Sequence, residues 1–436
     1  MAVWFGSSMC RTWVLEEEEE EDEDDFLLLV DDDDLEVVQL FELENAESSR
    51  RIRRSNGPPK QIRQRDHAAG DARIRADYFG PNPVYSALQF RRRFRMRVHV
   101  FERIVEAIEG ADSYFKQKED AVGHLGLTSL QKSVAAIRIL AYGLPADAID
   151  EYVRIAESTA RKALHHFCRA IISVFGEYYL RAPNAADVER LLRIGEQRGF
   201  PGLLGSIDCM HWEWRNCPVR YKGMFTGRGK HPSMILEAVA SHDLWIWHAY
   251  FGMPGSCNDI NVLQKSPVFS PFLKGEAAPV SFTVNGHTYD MGYYLADGIY
   301  PNWSAFVKTI SNPMDTKAAR FAKEQESARK DIERAFGVLQ SRWAIVRGPA
   351  YGFHRDEIRN ILTACIIMHN MIIEDEGKLA ENTDYENIGV TAAPYRTITQ
   401  ERSDYIKKHH KLKNPAIHSQ LQMDLIEHHW MRHGSS

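Results

Sequence analysis

"LGSIDCMHW", Leu204 to Trp212, is a short apolar run with an aspartate, Asp208, set where the pattern calls for another hydrophobic residue. One carboxylate at a strand end proves little. Its meaning depends on whether later carboxylates converge on it. Downstream, "MILEAVASHD" and "LWIWHAYFGMPG" have the β-branched and aromatic content of strands, separated by a turn around Ser241 to Asp243. With "GLLGSIDCMHWEW" they predict three consecutive antiparallel strands. "NDINVLQKSPVF" then opens a helix capped by Asn258 or Asp259, and "YDMGYYLADGIYP" supplies a fourth apolar strand that delivers Asp297 at its exit. A long charged helix follows, about Thr316 to Trp343, with Ile332, Phe336, Leu339 and Trp343 as its buried stripe. Glu333 sits at the edge of that stripe and is expected to face the core.

Three strands, a helix, a strand and then helices is the order of a ribonuclease-H-like α/β layer, a mixed sheet flanked by helices. In such a sheet the first and fourth strands are neighbours, so Asp208 and Asp297 end side by side and a late helix brings Glu333 over them. Adjacent buried carboxylates repel one another, and burying them is costly unless cations neutralise the cluster. Oxygen-only ligands in an open site suit Mg²⁺ or Mn²⁺, and two such ions promote phosphodiester hydrolysis or transfer. Taken singly, each acid has an ordinary explanation: Asp208 and Asp297 as turn formers, Asp259 as a helix cap, Glu333 as helix surface. All four arising together in this order favours the metal site.

Composition bounds the rest. The 436 residues are 44% hydrophobic, enough for a globular core with added segments. Six cysteines show no C-x-x-C pair or framework spacing, which favours a reducing compartment. No apolar run reaches the roughly 18 residues of a membrane span, so no membrane association is expected. The net charge of -6 is strongly divided. Residues 1–49 hold eighteen Asp/Glu against Arg11, whereas residues 50–97 hold fourteen Lys/Arg against three aspartates. The first segment is expected to be a disordered acidic tail, the second a basic arm or linker for nuclear import or phosphate contact. Arg91, Arg92 and Arg93 are its candidate DNA-binding residues.

From Val98 onward the apolar spacing turns helical. Order is expected to begin near "NPVYSALQFRRRFRM". "TSLQKSVAAIRILAYG" stops at Gly143, "PADAIDEYV" begins a short second helix, and Ser158 or Thr159 caps a third, "TARKALHHFCRAII". This is the pattern of an all-α, helix-turn-helix-like region, with Arg161 and Lys162 placed to reach DNA; simple packing of three amphipathic helices is the competing explanation. The expected organisation is therefore an acidic tail (1–49), a basic arm (50–97), a helical region (98–200), a nuclease domain (201–376) and a tail with a short helix (377–436).

Four blocks, "GSIDCMHWEWRNCP", "LEAVASHDLWIWHAYFGMPGSCNDINVL", "VNGHTYDMGYYLADGIYP" and "RKDIERAFGVLQSRWAIV", together resemble the plant PIF/Harbinger transposases and Harbinger-derived nucleases. The 35 residues between Asp297 and Glu333 match the interval of DDE transposases and retroviral integrases. The resemblance implies a nuclear DDE endonuclease, with some presence in the cytoplasm left open, using Mg²⁺ or Mn²⁺ held by Asp208, Asp259, Asp297 and Glu333. Strand order makes Asp208, Asp297 and Glu333 the catalytic ligands and Asp259 a fourth acid, whereas the resemblance gives Asp259 equal standing. DNA is the implied partner, with a Myb-like accessory protein from the same element and a second copy of the chain as further candidates. Two functions remain: an endonuclease or transposase cutting transposon ends and joining a 3′-hydroxyl to target DNA, or a domesticated, non-catalytic DNA- or chromatin-binding protein.

Overall fold

The computed structural model describes residues 65–119, 123–381 and 398–433, and the described residues belong to one compact unit, Arg65–Ser436. The acidic tail expected over 1–49 lies outside them, as does the start of the basic arm.

Order begins earlier than expected. Residues expected to form an arm are helical: α1 (His67–Tyr78), capped by Asp66, and α2 (Ala87–Phe94), closed by a Ser86–Gln89 capping box. Their Tyr78, Phe90 and Phe94 are buried together against Phe101 of α3 (Val98–Ala111). α4 (Ser129–Tyr142) has a Thr128–Gln131 capping box and ends, as expected, on Gly143, whose φ of 64° is cheap only without a Cβ. Short helical turns over 146–153 lead to α5 (Glu157–Tyr179). Its N-cap is Ala156 with no side-chain cap; Ser158 and Thr159, the expected caps, are already inside the helix. α6 (Ala185–Gln197) then hands the chain to the sheet.

The sheet contains β1 (Leu203–Glu213), β2 (Ser233–Ala240) and β3 (Ile246–Pro254), antiparallel in sequence. α7 (Asp259–Lys265) follows, and a small hairpin, β4 (Phe282–Val284) and β5 (His287–Tyr289), precedes β6 (Tyr293–Ala296) and β7 (Phe306–Lys308). The order β3-β2-β1-β6-β7, with β1, β6 and β7 mutually parallel along the row, is the ribonuclease-H-like arrangement. The hairpin and β7 add to the four strands expected.

The expected single helix after the sheet is two, α8 (Thr316–Arg329) and α9 (Asp331–Arg342), interrupted at Lys330. Ile332, Phe336, Leu339 and Trp343 are buried as their spacing indicated, in a cluster with Trp212 and Leu236 of the sheet and Leu362 of α10 (Arg355–Glu381). The same cluster contains Ile74, Phe101 and Val134, so the N-terminal helices and this face of the sheet share one core. Asn370 of α10 ties them further: its amide donates to the Tyr179 and Ile246 carbonyls at 2.7 Å and accepts from the Ile246 amide at 3.0 Å.

The end of the chain is structural as well. After α11 (Ile398–Leu412), α12 (Pro415–His433) lays Leu421 and Leu425 against Phe200, Val307 and Phe321. Residues 377–436 thus carry two helices of the packed unit, where one short helix on a tail was expected. No helix among the described residues is long and apolar enough to cross a membrane.

Candidate active site

The register explains why the acids gather. β1 and β6 run parallel, and their last registered pair is Ser206 with Leu295. Asp208 and Asp297 each lie two residues farther on, at the same end of the sheet, where β6 has stopped and the edge of β1 is open. Side chains alternate between faces along a strand. Asp208, opposite Ala238, therefore turns to the side of α8 and α9, while Cys209, opposite Glu237, turns to the side of α7.

Asp208 accepts a hydrogen bond from the Cys209 amide at 2.8 Å, and its other oxygen lies 3.2 Å from Arg329 Nη1. The Arg329 Nη2 reaches Glu333 at 2.9 Å. One guanidinium at the end of α8 thus joins the carboxylates of β1 and α9. Burial pushes the Asp208 carboxyl up to about 6, helped by the charges of Asp259 and Glu333 and opposed by the Cys209 amide and Arg329. Asp259 is the first residue of α7, following the Asn258 cap that pairs with Asn261. Its carboxyl is also raised, by burial first and then by Asp297 and Glu237, against the Cys209 thiol and His211. Asp297 is exposed, and the next amide, Gly298 N–H, donates to it. The four predicted acids therefore form one chain of electrostatic neighbours: Glu333 to Asp208, Asp208 to Asp259, Asp259 to Asp297.

One expectation needs correction. Glu333 does not face the core: its side chain is 46% exposed and opens toward the acid site. The carboxylate that α9 buries is Asp331, paired with Arg198 at 2.5 Å and with Arg334. The candidate DNA-contacting arginines Arg91 and Arg93 already have partners within the fold. Arg91 pairs with Glu376, and Arg93 lies over the Tyr85 ring at 3.7 Å. Arg92 is exposed. Arg161 and Lys162 are exposed on the first turns of α5, Arg161 pairing with Glu157 and Lys162 lying 5.5 Å from the Tyr114 ring centroid.

Several neighbours of the acids were not anticipated. Arg329 could have been noticed as the residue four before Glu333. Glu237 is a charge inside the apolar run "MILEAVA"; it is fully buried, and neither carboxylate oxygen has a hydrogen-bond partner among the described residues. The His248 Nε2 lies 3.5 Å from one of them. Cys209 lies 3.8 Å from the buried Tyr300 hydroxyl, and Lys308 of β7 donates to the Tyr300 carbonyl at 2.7 Å.

The donor chemistry fits a hard divalent cation: carboxylates only, at an open strand end, in mutual repulsion. The arrangement is not a closed cage. Among the described residues no three His, Cys, Asp or Glu are close enough to chelate one ion. A cation is nevertheless already part of the arrangement, in the form of the Arg329 guanidinium between Asp208 and Glu333.

A ribonuclease-H-like sheet with acids at the ends of its first and fourth strands defines the class. Residues 177–380 match the family described as plant transposon protein, and residues 70–109 match a domain of unknown function. The protein antagonist of like heterochromatin protein 1 of Arabidopsis thaliana is 26% identical over 265 residues, 59% of this chain and 65% of the relative. An ALP1-like protein of Arabidopsis thaliana is 26% identical over 52% of the chain and 54% of its own length. HARBI1 of Bos taurus, named as a candidate nuclease, is 20% identical over 51% and 61%. The chain thus spans between about half and just under two thirds of these curated relatives. No solved structure matches it. Over this part of its length the chain is thus similar to the Harbinger transposase-derived proteins.

Proposed function

We propose that the chain is a nuclear, divalent-metal-dependent endonuclease of the DDE type, acting on DNA phosphodiester bonds at transposon ends. The observation that carries this is the convergence of Asp208, Asp259, Asp297 and Glu333 at one end of the sheet, with Asp208 raised to about 6 by burial and by its neighbours' charge. Asp208, Asp297 and Glu333 would hold Mg²⁺ or Mn²⁺, with Asp259 as fourth acid. Such ions supply activation of the attacking oxygen and stabilisation of the leaving one. The protein's own part is to fix the acids on strand ends and helix starts whose positions the core determines. Arg329 neutralises Asp208 and Glu333 in the absence of other cations. Arg161 and Lys162 would contact DNA from α5, and a Myb-like partner and self-association belong to the same proposal.

Arg329 also favours a second function, a domesticated chromatin- or DNA-binding protein, because a site neutralised from within needs no metal to persist. Cleavage of supercoiled and terminal-repeat DNA with Mn²⁺ decides between them. The endonuclease should nick DNA, and Asp208→Ala should lower the rate by orders of magnitude. Wild-type protein that binds DNA without cutting it in either metal establishes the second function.

A further inference from the structure

The segment joining β1 to β2, residues 214–232, holds five Lys/Arg and no Asp or Glu. Arg215, Arg220, Lys222, Arg228, Lys230 and His231 are all exposed. Arg215 lies 3.6 Å from Glu213, while Lys222, Arg228 and Lys230 have no ion pair among the described residues. This contrasts with the arginines of α2 and its flank, where Arg91 pairs with Glu376 and Arg97 with Asp375. A long loop with a one-signed charge pays a repulsive cost that its own fold does nothing to relieve.

Its position is fixed. Phe225 is buried with its ring 5.1 Å from that of Trp214, and the Trp214 indole donates to the Gly352 carbonyl at 2.8 Å. The loop is also fastened to the turn that leads into Asp259. Ser256 Oγ donates to the Met224 carbonyl at 2.7 Å, and the Gly255 amide donates to the Ser233 carbonyl at 2.8 Å. Gly227 lies so close that a Cβ there would come 1.9 Å from the Gly255 carbonyl oxygen. His211 meets Ser233 at 3.1 Å at the base of the loop and is one of the charges acting on Asp259. The loop that carries these cations is thus fastened to the turn that leads, three residues after Ser256, to Asp259.

We propose that the β1–β2 loop is a binding surface for the phosphate backbone of duplex DNA, with Lys222, Arg228 and Lys230 as its contacts, seating the strand beside the acids. Acids that gather cations repel a polyanion, and neighbouring lysines and arginines offset this while leaving the carboxylates free. The inference rests on DNA as the substrate of the proposed endonuclease and assigns the loop a role in binding that substrate.

The test is Lys222→Ala/Arg228→Ala/Lys230→Ala in the full chain, with binding to a fluorescent DNA duplex followed by anisotropy in EDTA across a salt series. Each lost phosphate contact should lower the slope of log affinity against log salt by about 0.9, so the variant's slope should be shallower by roughly 2–3. Affinity at low salt should fall at least tenfold. The substitutions are on exposed side chains, so an unchanged melting temperature confirms that the fold is intact. A slope within about 0.5 of wild type overturns the proposal. Because EDTA removes cleavage, this outcome is independent of the endonuclease assignment, which fails separately if wild type binds DNA but never nicks it in Mn²⁺.

Discussion

Replacing Asp208 by asparagine should stabilise the metal-free protein at neutral pH and leave it unchanged in acid. Burial pushes the Asp208 carboxyl in the folded protein up to about 6, above its ordinary value of 3.8. The folded state therefore holds the proton more tightly than the unfolded one, and stability falls as pH rises between about 4 and 6. Two units at 1.36 kcal/mol each give a cost of about 3 kcal/mol at pH 7, an upper bound for a side chain that retains 20% exposure. Asparagine mimics the protonated acid: its carbonyl oxygen still accepts the Cys209 amide, and it cannot ionise. A chain of this size moves by only roughly 1–2 °C per kcal/mol, so Asp208→Asn should melt above wild type at pH 7 in EDTA by at most about 3–6 °C. The gap should be small at about pH 4 and close by about pH 3, where the wild-type acid is protonated in both the folded and the unfolded state. Melting curves at several pH values, with and without Mn²⁺, measure it; metal should raise wild type and not the variant. A gap that is independent of pH, or a variant less stable at pH 7, would refute the electrostatic account and make Asp208 an ordinary structural residue.

Arg329→Ala removes the guanidinium between Asp208 and Glu333, so the metal-free protein should melt lower while the Mn²⁺-induced rise grows; an equal rise in both proteins would remove Arg329 from the site. Arg97→Ala should cost roughly 1–2 kcal/mol in urea titrations, because Asp375 loses a close ionic partner, without changing the salt slope of DNA binding. Asp331→Ala should be the most damaging of the acid substitutions, about 3–5 kcal/mol, since it strands Arg198 beside a buried position; a loss under 1 kcal/mol would show that Arg198 finds another partner. Arg161→Ala/Lys162→Ala should lower affinity for element ends with no change in melting temperature, and equal binding would limit α5 to packing.

The arrangement of the sheet was legible because strand alternation and the acid in "LGSIDCMHW" are local signals. β7 was not: three residues of strand, Phe306–Lys308, owe their existence to the neighbouring β6. The break at Lys330 was equally hidden, since "ESARKDIERAFG" contains no proline or glycine at that point. Asp208 and Arg329 are 121 residues apart, and Arg91 and Glu376 are 285 apart. Such pairings follow from tertiary packing and leave no periodic trace. A cluster such as "RRRF" therefore signals charge but does not reveal that part of it is already neutralised by its own fold. Glu237 is the reverse case: the charge in an apolar strand was visible and went unweighed.

The final helix, α12, bears on how this protein can be dissected. His418 Nδ1 donates to the Phe306 carbonyl at 2.9 Å, Gln422 donates to the Lys308 carbonyl at 3.0 Å, and Lys317 pairs with Glu427 at 2.6 Å. A fragment trimmed after the plant transposon match, at residue 380, would uncover Val307, Phe321 and Phe200 and leave the outermost parallel strand unsupported. Such a fragment should be insoluble when expressed, although it retains every proposed ligand. Homology boundaries and folding boundaries part company here, and the smallest soluble piece of this protein must reach well past the last of its proposed ligands.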